Sequence, residues 1–264
     1  MVQDPDRLVA EKAPERPGRA VVEREPGGCF DPELLGLAAT IGIRKGQPFA
    51  PDDRMQAILT DAVAVANATA RAIVFKTRDP AAYLYPDSKW QTGFVGGDYQ
   101  WLRGDGKAGR DLDARTLYFY FATVNTPAMA LEMPGVGSQY AYTAHDSDGT
   151  YLDGGSHYQL NIPADVPAKD FWSIVAYDPQ TRSELQSPQP FPSKNSVRDQ
   201  LTTSPDGSLT LQFGPTPPGG EQDRNWIQTV PGKGFVPVLR LYGPLEPWFD
   251  KTWRPGDIQL VAKT

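Results

Sequence analysis

Phe171-Trp172-Ser173-Ile174-Val175-Ala176-Tyr177-Asp178 has the pattern of an apolar strand that ends in an acidic turn residue. Similar units, each a short apolar or aromatic segment beside a turn, lie on both sides of it. They are Tyr151-Leu152-Asp153-Gly154-Gly155, Asp206-Gly207-Ser208-Leu209, Asn225-Trp226-Ile227-Gln228-Thr229 and Arg240-Leu241-Tyr242-Gly243-Pro244. Short strands at this spacing, without intervening helices, predict antiparallel pairing in a β-sandwich or jelly roll.

Residue patterns locate further strands. Residues 157–162 and 208–213 alternate polar with apolar side chains, which is typical of a strand with one face in water. Residues 117–124 are apolar throughout, which predicts a strand that is buried on both faces. Residues 236–242 and 258–261 complete the predicted set.

Helices are predicted only before the strands. Asp31 as N-cap and Pro32 at the first helical position begin a short helix, which we expect to end near Gly36. A longer helix is predicted over 51–72 from apolar residues that recur at intervals of three and four. They are Met55, Ile58, Leu59, Ala62, Val63, Ala66 and Ala70.

The predicted organisation has three parts. Residues 1–29 are rich in charge and poor in large apolar groups, so they form a polar N-terminal tail. Residues 30–72 form a helical lead-in, and residues 73–264 form the β-sandwich domain.

In this order the motifs resemble a family known as domain of unknown function 1214. Asp113-Ala114-Arg115, Gly137-Ser138-Gln139-Tyr140 and the turn at 146–154 extend the resemblance, which covers about residues 30 to 264. It implies a mainly β fold, a jelly-roll-like antiparallel β-sandwich with a small N-terminal helical segment, and it implies no established reaction. In this family the domain usually follows a β-rich domain, number 1254, so the chain corresponds to the C-terminal half of such two-domain proteins.

Composition excludes several classes of partner. The chain has 264 residues, of which 26 are basic and 32 acidic, so its net charge of −6 repels nucleic acid. No uninterrupted apolar stretch approaches the ~18 residues that cross a bilayer, and the N-terminus lacks the apolar stretch of a secretory signal. We therefore expect a soluble, cytoplasmic protein without a membrane partner. The single cysteine, Cys29, excludes an intrachain disulfide and a multi-cysteine metal site.

The first candidate site combines arginines and tyrosines beside the apolar strands. It consists of Arg115, Tyr118, Tyr120, Tyr140, Arg240 and Tyr242. An arginine fork framed by tyrosines is suited to a carboxylate or to sugar hydroxyls on a concave sheet face. The structural alternative is a pair of buried Arg–Asp bridges, with Asp98 or Asp113 as partners, because buried charges are normally paired.

The second candidate site is an acidic loop. Asp146, Asp148 and Asp153 lie close together in sequence, between His145 and His157. Closely spaced carboxylates favour calcium, whereas zinc would require both histidines. The structural alternative is a hairpin turn in which the aspartates accept hydrogen bonds from backbone amides.

Motifs for common catalytic chemistries are missing. The sequence has no Gly-x-Ser-x-Gly elbow, phosphate loop or dinucleotide fingerprint. The prediction is therefore a β-sandwich protein that binds a small polar molecule or a carbohydrate on its arginine and tyrosine face, without a cofactor other than the calcium considered above. One alternative is a hydrolase or lyase that uses the acids of residues 146–153, with or without a metal. Another is a structural module whose exposed strand edges pair between copies into a homo-oligomer.

Overall fold

The computed structural model describes residues 17–104, 106–122 and 124–261. Most of the predicted polar tail, residues 1–16, lies outside this range. The chain divides into two compact units, Met1–Ala68 and Thr69–Thr264.

The first unit is helical. Its helices are α1 (Pro17–Arg24), α2 (Pro32–Thr40) and α3 (Asp53–Phe75), of which the last continues into the second unit. Helix α2 begins as predicted, because the Asp31 carboxylate accepts a hydrogen bond from the Glu33 amide. It runs past Gly36 to Thr40, since one glycine in a helix interior costs only about 1 kcal/mol and apolar residues follow it.

Helix α3 confirms the helix predicted over 51–72 from the recurring apolar residues. The observed helix has 23 residues and ends at Phe75. By length and composition this helix could cross a membrane. Its apolar sequence is interrupted by Asp61 and Arg71, so it contains no continuous apolar stretch of membrane-spanning length. Only Val74 and Phe75, at its C-terminal end, are buried.

The second unit contains two four-stranded sheets. The first has the order β1-β7-β3-β4, with β1 at Ser138–Tyr142, β3 at Ala168–Tyr177, β4 at Ser193–Asn195 and β7 at Val236–Pro244. The second has the order β6-β5-β2-β8, with β2 at Tyr158–Ile162, β5 at Leu209–Gly214, β6 at Trp226–Gln228 and β8 at Gln259–Leu260. All pairs are antiparallel except β5 with β6, which is parallel. The mainly β sandwich is thus confirmed, and the jelly-roll connectivity stays a prediction.

Two apolar clusters cover the two faces of the first sheet. One fills the space between the sheets and includes Trp172 and Leu239 of the first sheet and Leu160 of the second. The other lies on the outer face, where Val236 and Val238 pack with residues of α3 and α4 (Leu112–Phe121). Strand β7 is therefore covered on both sides, as its apolar run predicts.

The prediction of a strand over 117–124 is wrong, because Leu117 to Phe121 belong to helix α4. The helix is capped by Asp111, whose carboxylate accepts from the Ala114 amide at 2.9 Å. Ala114, Leu117 and Tyr118 recur at helical spacing and form its buried face. A continuous apolar run fits a helix and a strand equally well, and here the capping aspartate decides.

Adjacent glycines of the Tyr151–Gly155 unit have different roles, which gives a matched test of the fold. A Cβ on Gly154 would overlap the Val230 carbonyl oxygen and lie 2.8 Å from that of Lys233, whereas a Cβ on Gly155 meets only the Asp153 side chain at 3.6 Å. We expect Gly154→Ala to lower the free energy of unfolding by about 1–3 kcal/mol and Gly155→Ala to change it by less than about 0.5 kcal/mol. Urea unfolding of both variants measures the difference, and equal effects would contradict this packing.

Candidate functional site

An arginine occupies the middle of the central strand β7. Leu239 and Leu241 lie in the core between the sheets, so the alternation of the strand turns Arg240 to the outer face with Val238. Its neighbours across the sheet are Tyr140 on β1 and Ser173 on β3. The sheet thus places a charged group within an otherwise apolar face.

The Arg240 guanidinium is half-buried and surrounded by tyrosines. Its carbon lies 5.8 Å from the ring centroid of Tyr140 and 5.6 Å from that of Tyr177, and its Nη2 donates a hydrogen bond to the Tyr177 hydroxyl. Burial disfavours the charged form, but Tyr177, Tyr242 and Tyr140 outweigh this effect and raise the pKa of Arg240. The group therefore keeps its positive charge.

No carboxylate within the described ranges forms an ion pair with Arg240. Its Nε atom is buried and lacks a hydrogen-bond partner there. The predicted bridge to Asp98 or Asp113 is wrong for this arginine. Asp98 instead accepts from the Gln100 and Leu102 amides at 2.9 and 2.8 Å.

Arg240 lines a cavity of about 210 Å³ on the outer face of the first sheet, which we call the Arg240 cavity. Its walls come from β1, β3, β7, α4, the segment before α4, and the short helix α5 (Pro127–Ala130). The lining residues are Gly93, Phe94, Tyr118, Phe121, Ala122, Met129, Tyr140, Tyr142, Tyr177, Arg182, Val238 and Arg240. Most of this lining is apolar.

The tyrosine hydroxyls add little polarity to the cavity. The Tyr118 hydroxyl donates to the Val124 carbonyl at 2.7 Å, and the Tyr142 hydroxyl donates to the Val74 carbonyl at 3.2 Å. Burial raises the pKa of both hydroxyls, so both remain protonated. Their rings therefore serve as apolar walls.

A second cation lies in the wall. Arg182 follows β3 and has a left-handed backbone with φ of 63°. Its guanidinium carbon lies 4.4 Å from the ring centroid of Tyr120, a cation–π contact that orients it. The cavity thus presents two guanidinium groups and no acidic side chain among its lining residues.

The structure brings together most of the first predicted site. Tyr118, Tyr140 and Arg240 line the cavity, and Tyr120 contacts it through Arg182. Tyr242 interacts with Arg240 and stacks on Phe171 with centroids 4.0 Å apart. Arg115 lies on α4 and does not line the cavity.

Sequence reasoning missed Tyr177 and Arg182. Tyr177 is the last residue of β3, and the predicted alternation was not extended that far. Its pairing with Val236 would have placed it on the same face of the sheet as Arg240. Arg182 lies in a turn, where no residue periodicity indicates the direction of its side chain.

The acidic loop has the geometry of a turn. Asp146 is buried, and its Oδ1 accepts from the Asp148 and Thr150 amides at 3.1 and 2.9 Å. Asp153 accepts from the Gly155 amide at 3.0 Å. In the part of the chain that the structure describes, no group of three or more His, Cys, Asp or Glu could hold a metal ion. The calcium site at Asp146, Asp148 and Asp153 therefore gains no support.

The two histidines lie apart from this hydrogen-bonding pattern. His145 is buried, and its ring centroid lies 4.3 Å from that of Tyr151. Burial lowers the pKa of His145, and the positive charge of Lys76 lowers it further. The Nε2 atom of His157 lies 3.0 Å from the Thr216 hydroxyl. Neither histidine contributes to the Arg240 cavity.

Solved structures similar to this chain include two proteins of about twice its length. The VPA0106 protein from Vibrio parahaemolyticus aligns with a TM-score of 0.45 and 17% identity, over 92% of this chain and 54% of that one. An uncharacterized protein from Burkholderia cenocepacia aligns with a TM-score of 0.36 and 15% identity, over 87% of this chain and 48% of that one. The chain therefore spans about half the length of these proteins.

A search of curated proteins finds no match. The family model described as "Protein of unknown function (DUF1214)" matches residues 137–246, which include β1, β7 and Arg240. Over these residues the resemblance predicted from the motifs is confirmed, because this part of the chain matches the family model.

Proposed function

We propose that this protein binds a small carboxylate with an apolar or aromatic body in the Arg240 cavity. The observation that carries the proposal is the Arg240 guanidinium, half-buried and without a carboxylate partner among the described residues. A buried charge is normally paired, because its transfer out of water is costly. A bound carboxylate would supply the missing charge and accept from the guanidinium nitrogens.

The walls of the cavity favour an apolar ligand over a sugar. A sugar needs a hydrogen-bonding group for each hydroxyl, and the hydroxyls of Tyr118 and Tyr142 already donate to backbone carbonyls. Phe94, Phe121 and Val238 offer rings and methyl groups. The predicted class of small polar ligand thus narrows to an organic anion.

The volume sets the size of the ligand. An apolar cavity of about 150 Å³ holds a benzene ring, so about 210 Å³ accommodates a ring with one carboxylate. A molecule of this size binds weakly, with a Kd in the range of about 1 μM to 1 mM. Benzoate is therefore a suitable probe.

The two alternative functions have no comparable support. The carboxylates of the 146–153 loop that accept backbone hydrogen bonds serve the turn. Of the four edge strands, β4, β6 and β8 have three residues or fewer, and short edge strands oppose pairing between copies. The fourth, β1, has five residues, and its Tyr142 exchanges backbone hydrogen bonds with Gln91. Neither a reaction nor an assembly is indicated by these features.

Benzoate is expected to raise the thermal midpoint of the protein in a dose-dependent way, because it binds only the native state. Benzamide has almost the same shape but lacks the negative charge, so it is expected to leave the midpoint unchanged at equal concentration. Differential scanning fluorimetry with both compounds makes the comparison. Equal shifts would show that charge recognition is not what the cavity provides.

Arg240→Gln is expected to weaken benzoate binding by about tenfold to a hundredfold, the value of charge-assisted hydrogen bonds. Arg115→Gln is the matched control, because it removes the same charge from α4 outside the cavity. Isothermal titration calorimetry measures both, with circular dichroism as the test of folding. Parent-like affinity in the Arg240 variant, or an equal loss in the Arg115 variant, would refute the proposed site.

A further inference from the structure

A second chamber adjoins the Arg240 cavity and has a different chemistry. Its volume is also about 210 Å³, and its lining includes Thr92, Phe94, Glu132, Gln139, Trp248 and Lys251. We call it the Lys251 chamber. It contributes one acid, one base, one amide and the hydroxyls of Thr92 and Tyr83, whereas the Arg240 cavity is mainly apolar.

The charged groups of the Lys251 chamber have no ion-pair partner among the described residues, whereas its Thr92 hydroxyl accepts from the Phe94 amide at 3.0 Å. No ion pair joins Glu132 to Lys251 or to any other residue that the structure describes. The Lys251 ammonium lies 5.4 Å from a ring centroid of Trp248 and 5.7 Å from that of Tyr85. Burial lowers the pKa of Lys251, and the charge of Glu132 opposes this shift.

Phe94 is the one residue that both chamber linings share. Its ring packs on Tyr118 and Tyr140, with centroids 5.3 and 6.3 Å apart, and Phe94 is where the two linings meet. Gly93 precedes it, and Gly96 and Gly97 follow with φ of 78° and 68°. At these positions glycine allows the backbone to adopt conformations that other residues avoid.

We infer that the two chambers form one elongated site, in which Phe94 limits ligand length and the Lys251 chamber binds a hydroxyl, amide or amine at the far end of the carboxylate. This inference rests on the proposed function for the placement of the carboxylate. It identifies the ligand class as a carboxylate with an apolar middle and a hydrogen-bonding terminus. The middle passes Phe94 between the two chambers.

The first test changes Phe94. Phe94→Ala joins the chambers, so it is expected to raise the affinity for octanoate several-fold over the parent while the affinity for benzoate does not rise. Calorimetry with the two probes measures both, and Phe94→Leu serves if the alanine variant does not fold. Benzoate binding together with unchanged octanoate affinity in the folded variant would overturn the elongated site and leave the proposed function intact. Loss of benzoate binding in the parent itself would overturn both.

The second test changes the far end of the ligand. In the Phe94→Ala background, omega-hydroxyoctanoate is expected to bind about twofold to tenfold more tightly than octanoate, the value of one hydrogen bond. Glu132→Gln combined with Lys251→Met is expected to abolish this ratio, and Lys107→Met, outside both chambers, to preserve it. Equal affinities for the two probes, or a ratio that survives the double change, would overturn the role of the Lys251 chamber.

Discussion

Strand β7 must be covered on both faces, and the second unit is built around this requirement. It pairs with β1 on one side and with β3 on the other, so it lies inside the first sheet. Its residues alternate between the core of the sandwich and the layer that contains the ends of α3 and α4. A strand in this position is mostly closed to water, and its side chains need partners inside the protein, although Arg240 and Tyr242 remain partly exposed.

Arg240 is the exception on this strand. The neighbouring outward residues, Val236 and Val238, are apolar and buried, whereas Arg240 places a charge at the margin of the same layer. Tyr140 and Tyr177 contact the guanidinium with their rings and a hydroxyl, which compensates the charge only in part. The structure thus keeps a cation where burial disfavours it, which explains why an anionic ligand is the simplest complement.

The sequence predicts best where the residue pattern has a single interpretation. The alternation at Tyr158–Ile162 gives β2, and the capping aspartate at Asp31 gives the beginning of α2. The run at 117–124 misleads, because its apolar residues satisfy a helix as well as a strand and Asp111 lies outside the run. Three of the six predicted ligand residues line the cavity, since strand alternation and aromatic type already relate Tyr140 to Arg240. The other residues of the cavity are brought together by packing between segments that are distant in sequence. The contact of Arg182 with Tyr120 is an example, and no local residue pattern predicts it.

We propose that the Arg240 guanidinium lacks an anionic partner among the described residues until a carboxylate binds. Nuclear magnetic resonance of arginine Nε–H groups tests this proposal, with the Arg240 signal assigned by its loss in Arg240→Gln. Saturating benzoate is expected to shift the Arg240 signal and slow its exchange with water, while the Arg115 signal stays in place. An Arg240 signal that is unchanged at saturating benzoate would show that no carboxylate binds at this guanidinium.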